Sequence, residues 1–129
     1  MPGGAKTSKG HELRDRVVEL AHKLGLEAKT EVKVARRIWG AQRRIDVVLR
    51  KPGSEKVLGI ECKYQSTPGT AEEKIAITLE DMKHWPIPGI VVIDGEGFSD
   101  KMKGYLIASG KVVEWKDLEE WLRLFFLID

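Results

Sequence analysis

The sequence predicts an α/β domain with a mixed central sheet of about five strands flanked by helices. Apolar residues recur at helical spacing near both ends of the chain, in residues 11–24 and 116–127. Three apolar runs separated by short turns follow the first helix and predict an antiparallel meander. A later run at 89–94 (Gly-Ile-Val-Val-Ile-Asp) is nearly all apolar, as expected for a strand buried on both faces.

One helix and three strands are predicted in the first half of the chain. Leu13 and Val17 share one face of the helix at 11–24, and Gly25 is suited to end it. Partial alternation of apolar and polar residues predicts a strand at 28–38, and a segment rich in Ile and Val predicts a second strand at 44–50. The apolar run at 57–64 predicts the third strand. Between the last two strands, Pro-Gly-Ser at 52–54 predicts the turn of a hairpin.

Helices and strands alternate in the second half of the chain. Ile75, Leu79 and Met82 lie at helical spacing, and Pro86 stops the helix that contains them. The predicted elements are a helix at 71–85, a strand at 89–94, a helix at 100–109, a strand at 111–115 and a helix at 116–127. The order is therefore α-β-β-β-α-β-α-β-α, in one domain over residues 11–129 that follows a flexible N-terminal tail at 1–10.

The composition excludes several classes of protein. Apolar residues make up 42% of the chain, which is more than a disordered chain contains. No apolar run approaches the roughly 18 residues of a membrane span, so we expect no membrane partner. Cys62 is the single cysteine and cannot form an internal disulfide, and residues 1–10 lack the apolar stretch of a secretory signal. We therefore expect a cytoplasmic protein.

Positive charge is concentrated in one part of the chain. Residues 29–63 contain ten basic and four acidic residues, whereas residues 72–129 contain seven basic and twelve acidic residues. Phosphate binding requires such a local excess of cations, because each neutralised phosphate releases counterions. The alternative interpretation is a solvated basic face that keeps the protein soluble.

The predicted hairpin brings acidic and basic side chains together. Alternation along the third strand places Glu61, Lys63 and Gln65 on one face. A turn centred near residues 53–54 places Asp46 of the second strand at or near the position opposite Glu61. Two carboxylates therefore meet across the hairpin, with a lysine two residues further along.

This arrangement suits the hydrolysis of a phosphodiester. Two close carboxylates repel each other unless a cation lies between them, and Mg²⁺ accepts one or two carboxylates together with water and phosphate oxygens. Lys63 would hold or help deprotonate the attacking water, or stabilise charge on the phosphate, and Gln65 would position that water. The competing interpretation is an ordinary cross-strand salt bridge between Lys63 and Glu61 or Asp46.

The same residues resemble the PD-(D/E)xK nuclease superfamily, which includes type II restriction endonucleases and Holliday junction resolvases. The similar positions are Asp46 after Arg-Arg-Ile, the tripeptide Glu61-Cys-Lys63, and Gln65. Ile45 stands where the name of the family implies proline.

Two other segments extend the resemblance over residues 10–122 as an order of elements. Residues 10–17 (Gly-His-Glu-Leu-Arg-Asp-Arg-Val) are similar to the first helix of the resolvase branch, where a helix glutamate joins the metal site. Residues 88–95 resemble the strand and turn that follow the active-site helix in restriction-type members.

The resemblance implies a restriction endonuclease-like core and a Mg²⁺-dependent DNA endonuclease, with Mn²⁺ as a substitute metal. We expect a homodimer, because one site cuts one strand and the domain is small. The implied metal ligands are Asp46, Glu61, the Cys62 carbonyl and Glu12 of the first helix. Lys63 acts on the water, supported by Gln65. The implied phosphate-binding residues are Arg36, Arg37, Arg43 and Arg44. Trp39, in a loop beside these arginines, is a candidate for base stacking, with core or interface packing as the alternative.

Three other functions remain open at this stage. A structure-specific nuclease of the Holliday junction resolvase type would need less surface for reading bases than a sequence-specific enzyme. A non-catalytic nucleic-acid-binding module would keep the fold without the reaction. A structural interaction domain with a salt-bridged sheet would have no affinity for nucleic acid. Cys62 itself faces away from the carboxylates, so we expect a buried apolar role for its thiol.

Overall fold

A computed structural model describes residues 4–34, 43–68 and 71–129, and within these ranges it contains four α-helices and five strands. The elements in chain order are α1 (Gly4–Lys23), β1 (Glu27–Val34), β2 (Arg43–Arg50), β3 (Val57–Tyr64), α2 (Ala71–Met82), β4 (Gly89–Asp94), α3 (Asp100–Ile107), β5 (Val112–Glu114), a 3₁₀ turn (Trp115–Asp117) and α4 (Leu118–Phe126). The predicted order of elements is confirmed.

The five strands form one mixed sheet in the spatial order β1-β2-β3-β4-β5. β1, β2 and β3 pair antiparallel, as the short connections between their predicted positions indicate, whereas β3–β4 and β4–β5 pair in parallel. A parallel neighbour requires a crossover connection, and α2 and α3 supply these crossovers. The predicted α/β class with a restriction endonuclease-like core is therefore confirmed.

Helices cover both faces of the sheet and divide the hydrophobic core into two layers. In the first layer, α1 and α4 pack on one face of the sheet, and its fully buried members include Leu13, Val17, Val47, Leu122 and Phe126. In the second layer, α2 and α3 pack on the opposite face, with Ile45, Ile75, Val91, Ile93 and Leu106 among its buried members. β4 contributes to both layers, which explains its nearly continuous apolar sequence.

Several boundaries differ from the predicted ones. α1 begins at Gly4, so helical backbone includes residues 4–10, which the sequence assigns to a flexible tail. Ala5 and Lys6 are favourable helix residues, and no proline interrupts this stretch. α2 ends at Met82 instead of residue 85, and residues 83–85 form tighter i→i+3 turns before Pro86, which lacks an N–H to continue the helix. The predicted residues 35–38 of the first strand lie outside the described ranges.

Trp85 fixes the start of β3 against β4. Gly59 and Gly89 are register partners on these strands, and the Trp85 ring lies over both. A Cβ atom would lie 2.7 Å from Trp85 Cζ3 at Gly59 and 2.5 Å from it at Gly89. The two glycines therefore provide the space that holds the indole, and β3 enters the sheet in a defined register.

Among the described helices, none is both long and apolar enough to cross a bilayer.

Candidate functional site

The β2–β3 ladder stops where the sequence predicts the two carboxylates to meet. Pairing runs from Arg50↔Val57 to Val47↔Ile60 and ends there. This register continues to Asp46 opposite Glu61, so the predicted register of the hairpin is confirmed. The backbone groups beyond the last pair are bonded by side chains instead of by the opposite strand.

Each carboxylate accepts a hydrogen bond from a backbone N–H of the other strand. The Asp46 N–H donates to Glu61 Oε2 at 3.3 Å, and the Cys62 N–H donates to Asp46 Oδ2 at 2.9 Å. The two carboxylates therefore occupy the gap where β2 and β3 separate, and their positions are set by the backbone of the opposite strand.

The electrostatics of this pair are unfavourable without a cation. Glu61 is only 8% exposed, and Asp46 is half-buried. Burial, together with the hydrogen bond and the negative charge of Asp46, raises the pKa of Glu61 to about 8, although the positive charge of Lys63 opposes this shift. The pair therefore retains a proton near neutral pH, and a bound cation would displace that proton.

The donor set fits a hard divalent cation. Carboxylate oxygens of Asp46 and Glu61 and the main-chain carbonyl of Cys62 are the oxygen ligands that Mg²⁺ prefers, and Mg²⁺ keeps several waters besides one or two carboxylates. Within the described ranges, no cluster of three or more His, Cys, Asp or Glu side chains could hold a metal ion. Glu12 is exposed on α1, and its contribution as a further ligand stays a prediction.

Lys63 lies on the same strand two residues after Glu61 and is half-buried. Its ammonium has no ion-pair partner among the residues that the structure describes, whereas most other half-buried cations of the fold do. Its positive charge lowers the pKa of Glu61 and so partly opposes the effect of burial and of Asp46. A salt bridge of Lys63 to Glu61 or Asp46, the competing interpretation from the sequence, is not formed.

Gln65 makes a contact that the sequence does not indicate. Its side-chain Nε2 donates to the Gly97 carbonyl at 3.0 Å, and its main-chain carbonyl accepts the Gly97 N–H at 2.7 Å. Gly95 has φ +108°, and a Cβ there would lie 2.2 Å from the Gln65 carbonyl oxygen. The turn after β4 is thus closed onto the end of β3, and the Gln65 amide is engaged in that turn.

Cys62 points into the first core layer and is 8% exposed. Burial, followed by the nearby charges of Asp46 and Glu61, raises the pKa of its thiol far above the ordinary value, so the thiol is neutral. The expected buried apolar role of this side chain is confirmed.

The predicted phosphate-binding arginines fall into three groups. Arg43 forms an ion pair with Asp81 of α2, and both side chains are largely buried. Arg44 is exposed and lies directly opposite the exposed Lys33 of β1. Arg36, Arg37 and Trp39 lie outside the described residues.

Other cations within residues 29–63, where positive charge is concentrated, make contacts that stabilise the fold. Arg50 pairs with Glu27 at 2.6 Å. Lys51 Nζ donates to the Phe126 carbonyl at 3.1 Å, and Lys56 Nζ donates to the Phe125 carbonyl at 2.8 Å. These two lysines satisfy carbonyls at the C-terminal end of α4, where cations are favoured. They are therefore engaged within the molecule and not available to phosphates.

Sequence reasoning missed one feature beside the site. The β1–β2 ladder contains Thr30↔Val47 and Val32↔Ile45 but skips the intervening pair of Glu31 and Asp46. Glu31 has φ +53°, although it lies inside a strand and is not glycine. No local pattern marks this residue, because a single charged side chain in a strand normally indicates an exposed face.

Comparison with solved structures gives a related fold. The chain is similar to a crystal structure titled as a protein of unknown function, AF1548, with a TM-score of 0.53 and 28% sequence identity. The similarity covers 79% of this chain but 56% of the other, so this chain spans just over half the length of that structure. No curated protein matches the chain.

Comparison with protein families gives a match over nearly the whole chain. A family model described as a PD-(D/E)XK nuclease superfamily domain covers residues 5–120. This range contains all five strands, the Asp46–Glu61 pair and Lys63. The chain therefore belongs to the PD-(D/E)XK nuclease superfamily.

Proposed function

We propose that the protein is a Mg²⁺-dependent DNA endonuclease that hydrolyses phosphodiester bonds. The observation that carries the proposal is the Asp46–Glu61 pair in the gap between β2 and β3, beside Lys63, which has no ion-pair partner in the described part of the chain. A fold that only bound a partner would gain stability by replacing one of these carboxylates with a neutral side chain, because the pair is repulsive.

Asp46, Glu61 and the Cys62 carbonyl would hold the metal, with Mn²⁺ as a substitute and Glu12 as a supporting ligand. When bound, the metal supplies Lewis-acid stabilisation of charge on the phosphate and lowers the pKa of a water. Lys63 would orient that water, accept or hold its proton, or neutralise charge on the phosphate. Gln65 would act by holding the end of β3 in place through Gly97.

DNA would approach along exposed cations that make no ion pair with the described residues. Arg44 and Lys33 form an exposed cross-strand pair two residues from Asp46 and Glu31, respectively. Two like charges placed directly opposite each other destabilise a sheet, and a phosphate between them removes that cost. Arg36, Arg37 and Trp39 belong to the same proposed interface, whereas Arg43 would contribute only after leaving Asp81.

A homodimer is the proposed assembly, because one site cuts one strand of a duplex. The reducing cytoplasm is the proposed compartment, since the single cysteine is buried as a neutral thiol. Sedimentation of the protein with and without duplex DNA tests the assembly. A monomer that cuts both strands at one position would contradict it.

The test of function is an incubation with supercoiled plasmid and with a labelled four-way junction, each with Mg²⁺ and with EDTA. Wild-type protein is compared with Lys63→Ala and with the matched charge control Lys101→Ala, whose lysine is exposed on α3. We expect Mg²⁺-dependent cutting by the wild type and the control but not by Lys63→Ala. Preference for the junction would select the resolvase type, and binding without cutting would indicate a non-catalytic module.

A further inference from the structure

Glu31 and Asp46 lie at a defect in the pairing of β1 with β2. The pairs on either side, Thr30↔Val47 and Val32↔Ile45, belong to one register, so no residue is inserted. The pair between them is missing from the ladder, and Glu31 has φ +53°. A left-handed backbone inside a strand is unfavourable for a residue with a Cβ atom, so something must hold it there.

The faces of both strands reverse at this point. On β2, Val47 belongs to the first core layer, whereas Ile45, two residues away, belongs to the second. On β1, Ala28 packs on the first layer, whereas Val34, six residues away, packs on the second. Residues separated by an even number share a face in a regular strand. The strands therefore exchange their faces together, at Glu31 on one strand and Asp46 on the other.

The reversal has a direct consequence for the carboxylate of Asp46. In a regular ladder, Glu31 and Asp46 would be direct partners with their two negative charges on the same face, which is unfavourable. Instead, the Asp46 N–H is free to donate to Glu61, and its carboxylate accepts the Cys62 N–H. The defect thus separates Asp46 from Glu31 and directs it toward β3.

Arg14 of α1 forms an ion pair with the side chain of Glu31 and also bonds the neighbouring Asp15. Its Nη1 lies 3.5 Å from Glu31 Oε2, and this places the Glu31 carboxylate on the side of the sheet covered by α1. The positive charge of Arg14 also lowers the pKa of the Cys62 thiol on β3, although burial and the nearby carboxylates raise it more, and α1 packs on β3 as well as on β1. Arg14 therefore connects the reversal point on β1 with the strand that carries Glu61.

We propose that Glu31 is a positioning residue whose left-handed backbone, stabilised by Arg14, turns Asp46 toward Glu61 so that the two carboxylates can share a metal ion. The metal part of this role rests on the proposed function, whereas the positioning of Asp46 is a property of the metal-free protein. In this role Glu31 acts through Asp46 and is not a metal ligand itself.

The test compares substitutions with opposite backbone preferences. Glu31→Gly removes the carboxylate but adopts positive φ at no steric cost, whereas Glu31→Val strongly favours the extended region. Thr30→Val is the matched control, because Thr30 is an exposed neighbour on the same strand within the regular ladder. The first readout is amide hydrogen exchange at Asp46 and Cys62 in ¹⁵N-labelled, metal-free protein. The second is a titration with Mn²⁺.

We expect Glu31→Val to lose exchange protection at Asp46 and Cys62 and to bind Mn²⁺ about tenfold more weakly, the lower end for residues that orient metal ligands. Glu31→Gly should keep the protection and bind Mn²⁺ within about twofold of the wild type. Thr30→Val should match the wild type in both measurements. A loss of similar size in Glu31→Gly and Glu31→Val would overturn the proposal, as would wild-type behaviour of both.

Two further arms keep the result interpretable. If Glu31→Val does not fold by circular dichroism, Glu31→Ala replaces it, because alanine is also disfavoured at positive φ but less than valine. Greater exchange at Asp46 and Cys62 in Glu31→Ala than in Glu31→Gly supports the proposal, and equal exchange overturns it. Wild-type protein that binds no Mn²⁺ would contradict the proposed function, while the exchange comparison would still decide the positioning role.

Discussion

At the turn end of the β2–β3 hairpin the backbone ladder is complete, and Lys51 and Lys56 reach across to carbonyls of α4. At the open end the ladder stops, two carboxylates bond the backbone in its place, and Lys63 has no ion-pair partner among the described residues. The lysines at the turn end are therefore bonded within the fold, whereas Lys63 at the open end has no ion-pair partner in the described ranges. A buried glutamate with a raised pKa beside such a lysine marks a candidate functional site.

The largest expected effect is the loss of DNA cleavage in Asp46→Asn. The substitution keeps the size of the side chain and an oxygen that can accept the Cys62 N–H, but it removes the charge that a metal requires. We expect cleavage in Mg²⁺ to fall by about three orders of magnitude or more, with an unchanged circular dichroism spectrum. The control is Asp100→Asn, at an exposed position of α3. Cleavage within tenfold of the wild type by Asp46→Asn would remove this residue from the site.

The second expected effect is a dependence of the free energy of unfolding on pH. Its source is Glu61, at the open end of the hairpin. The folded-state pKa of Glu61 is about 8, above its ordinary value, so the folded protein binds this proton more tightly than the unfolded chain. The stabilisation of the folded state by this proton is fully present below the pKa of Glu61 in the unfolded chain. It is lost as the pH rises through about 8. Within that window, the free energy of unfolding should fall by up to about 1.4 kcal/mol per pH unit.

Urea denaturation of the metal-free protein at pH 6 and at pH 7.5 measures this slope, and Glu61→Gln should flatten it. The same variant should be more stable than the wild type at pH 7.5 and should bind Mn²⁺ far more weakly. In the wild type, Mn²⁺ affinity should rise with pH over the same window, because binding displaces the proton. An identical slope in wild type and Glu61→Gln would show that another group causes the pH dependence.

The open end was predictable from the sequence to the extent that local rules determine it. The turn chemistry at 52–54 determines the pairing of the hairpin, so Asp46 opposite Glu61 follows from chain positions alone. The bounds of β3 and β4 follow in the same way from short apolar runs between turns. Pairings of this kind need only information that is close in sequence.

The features that escaped prediction depend on distant parts of the chain. Arg43 is predicted to bind phosphate, but its partner Asp81 lies on a helix that only the folded sheet brings near. Gln65 is predicted to position a water, and nothing near it in sequence indicates that its amide also donates to the distant Gly97 carbonyl. The left-handed backbone of Glu31 lies inside a strand, and the side chain of this residue pairs with Arg14 on a different element, α1. Local patterns carry no signal for such contacts.

The smallest expected effect concerns the turn end and sharpens the contrast between the two ends. Lys56 donates to the Phe125 carbonyl, and its ammonium lies 4.9 Å from the centre of the Phe125 ring. Lys56→Met keeps much of the apolar stem but removes the charge from the C-terminal end of α4, which should lower the free energy of unfolding by about 1 kcal/mol. Lys101→Met, at an exposed site with the same change of charge, should alter stability by less than about 0.5 kcal/mol. Mn²⁺ affinity should be equal in Lys56→Met and the wild type, because the hydrogen bonds that place Asp46 and Glu61 are all made at the open end. A weaker metal site in Lys56→Met would show that the hairpin transmits strain along its length, so that its two ends act as one unit.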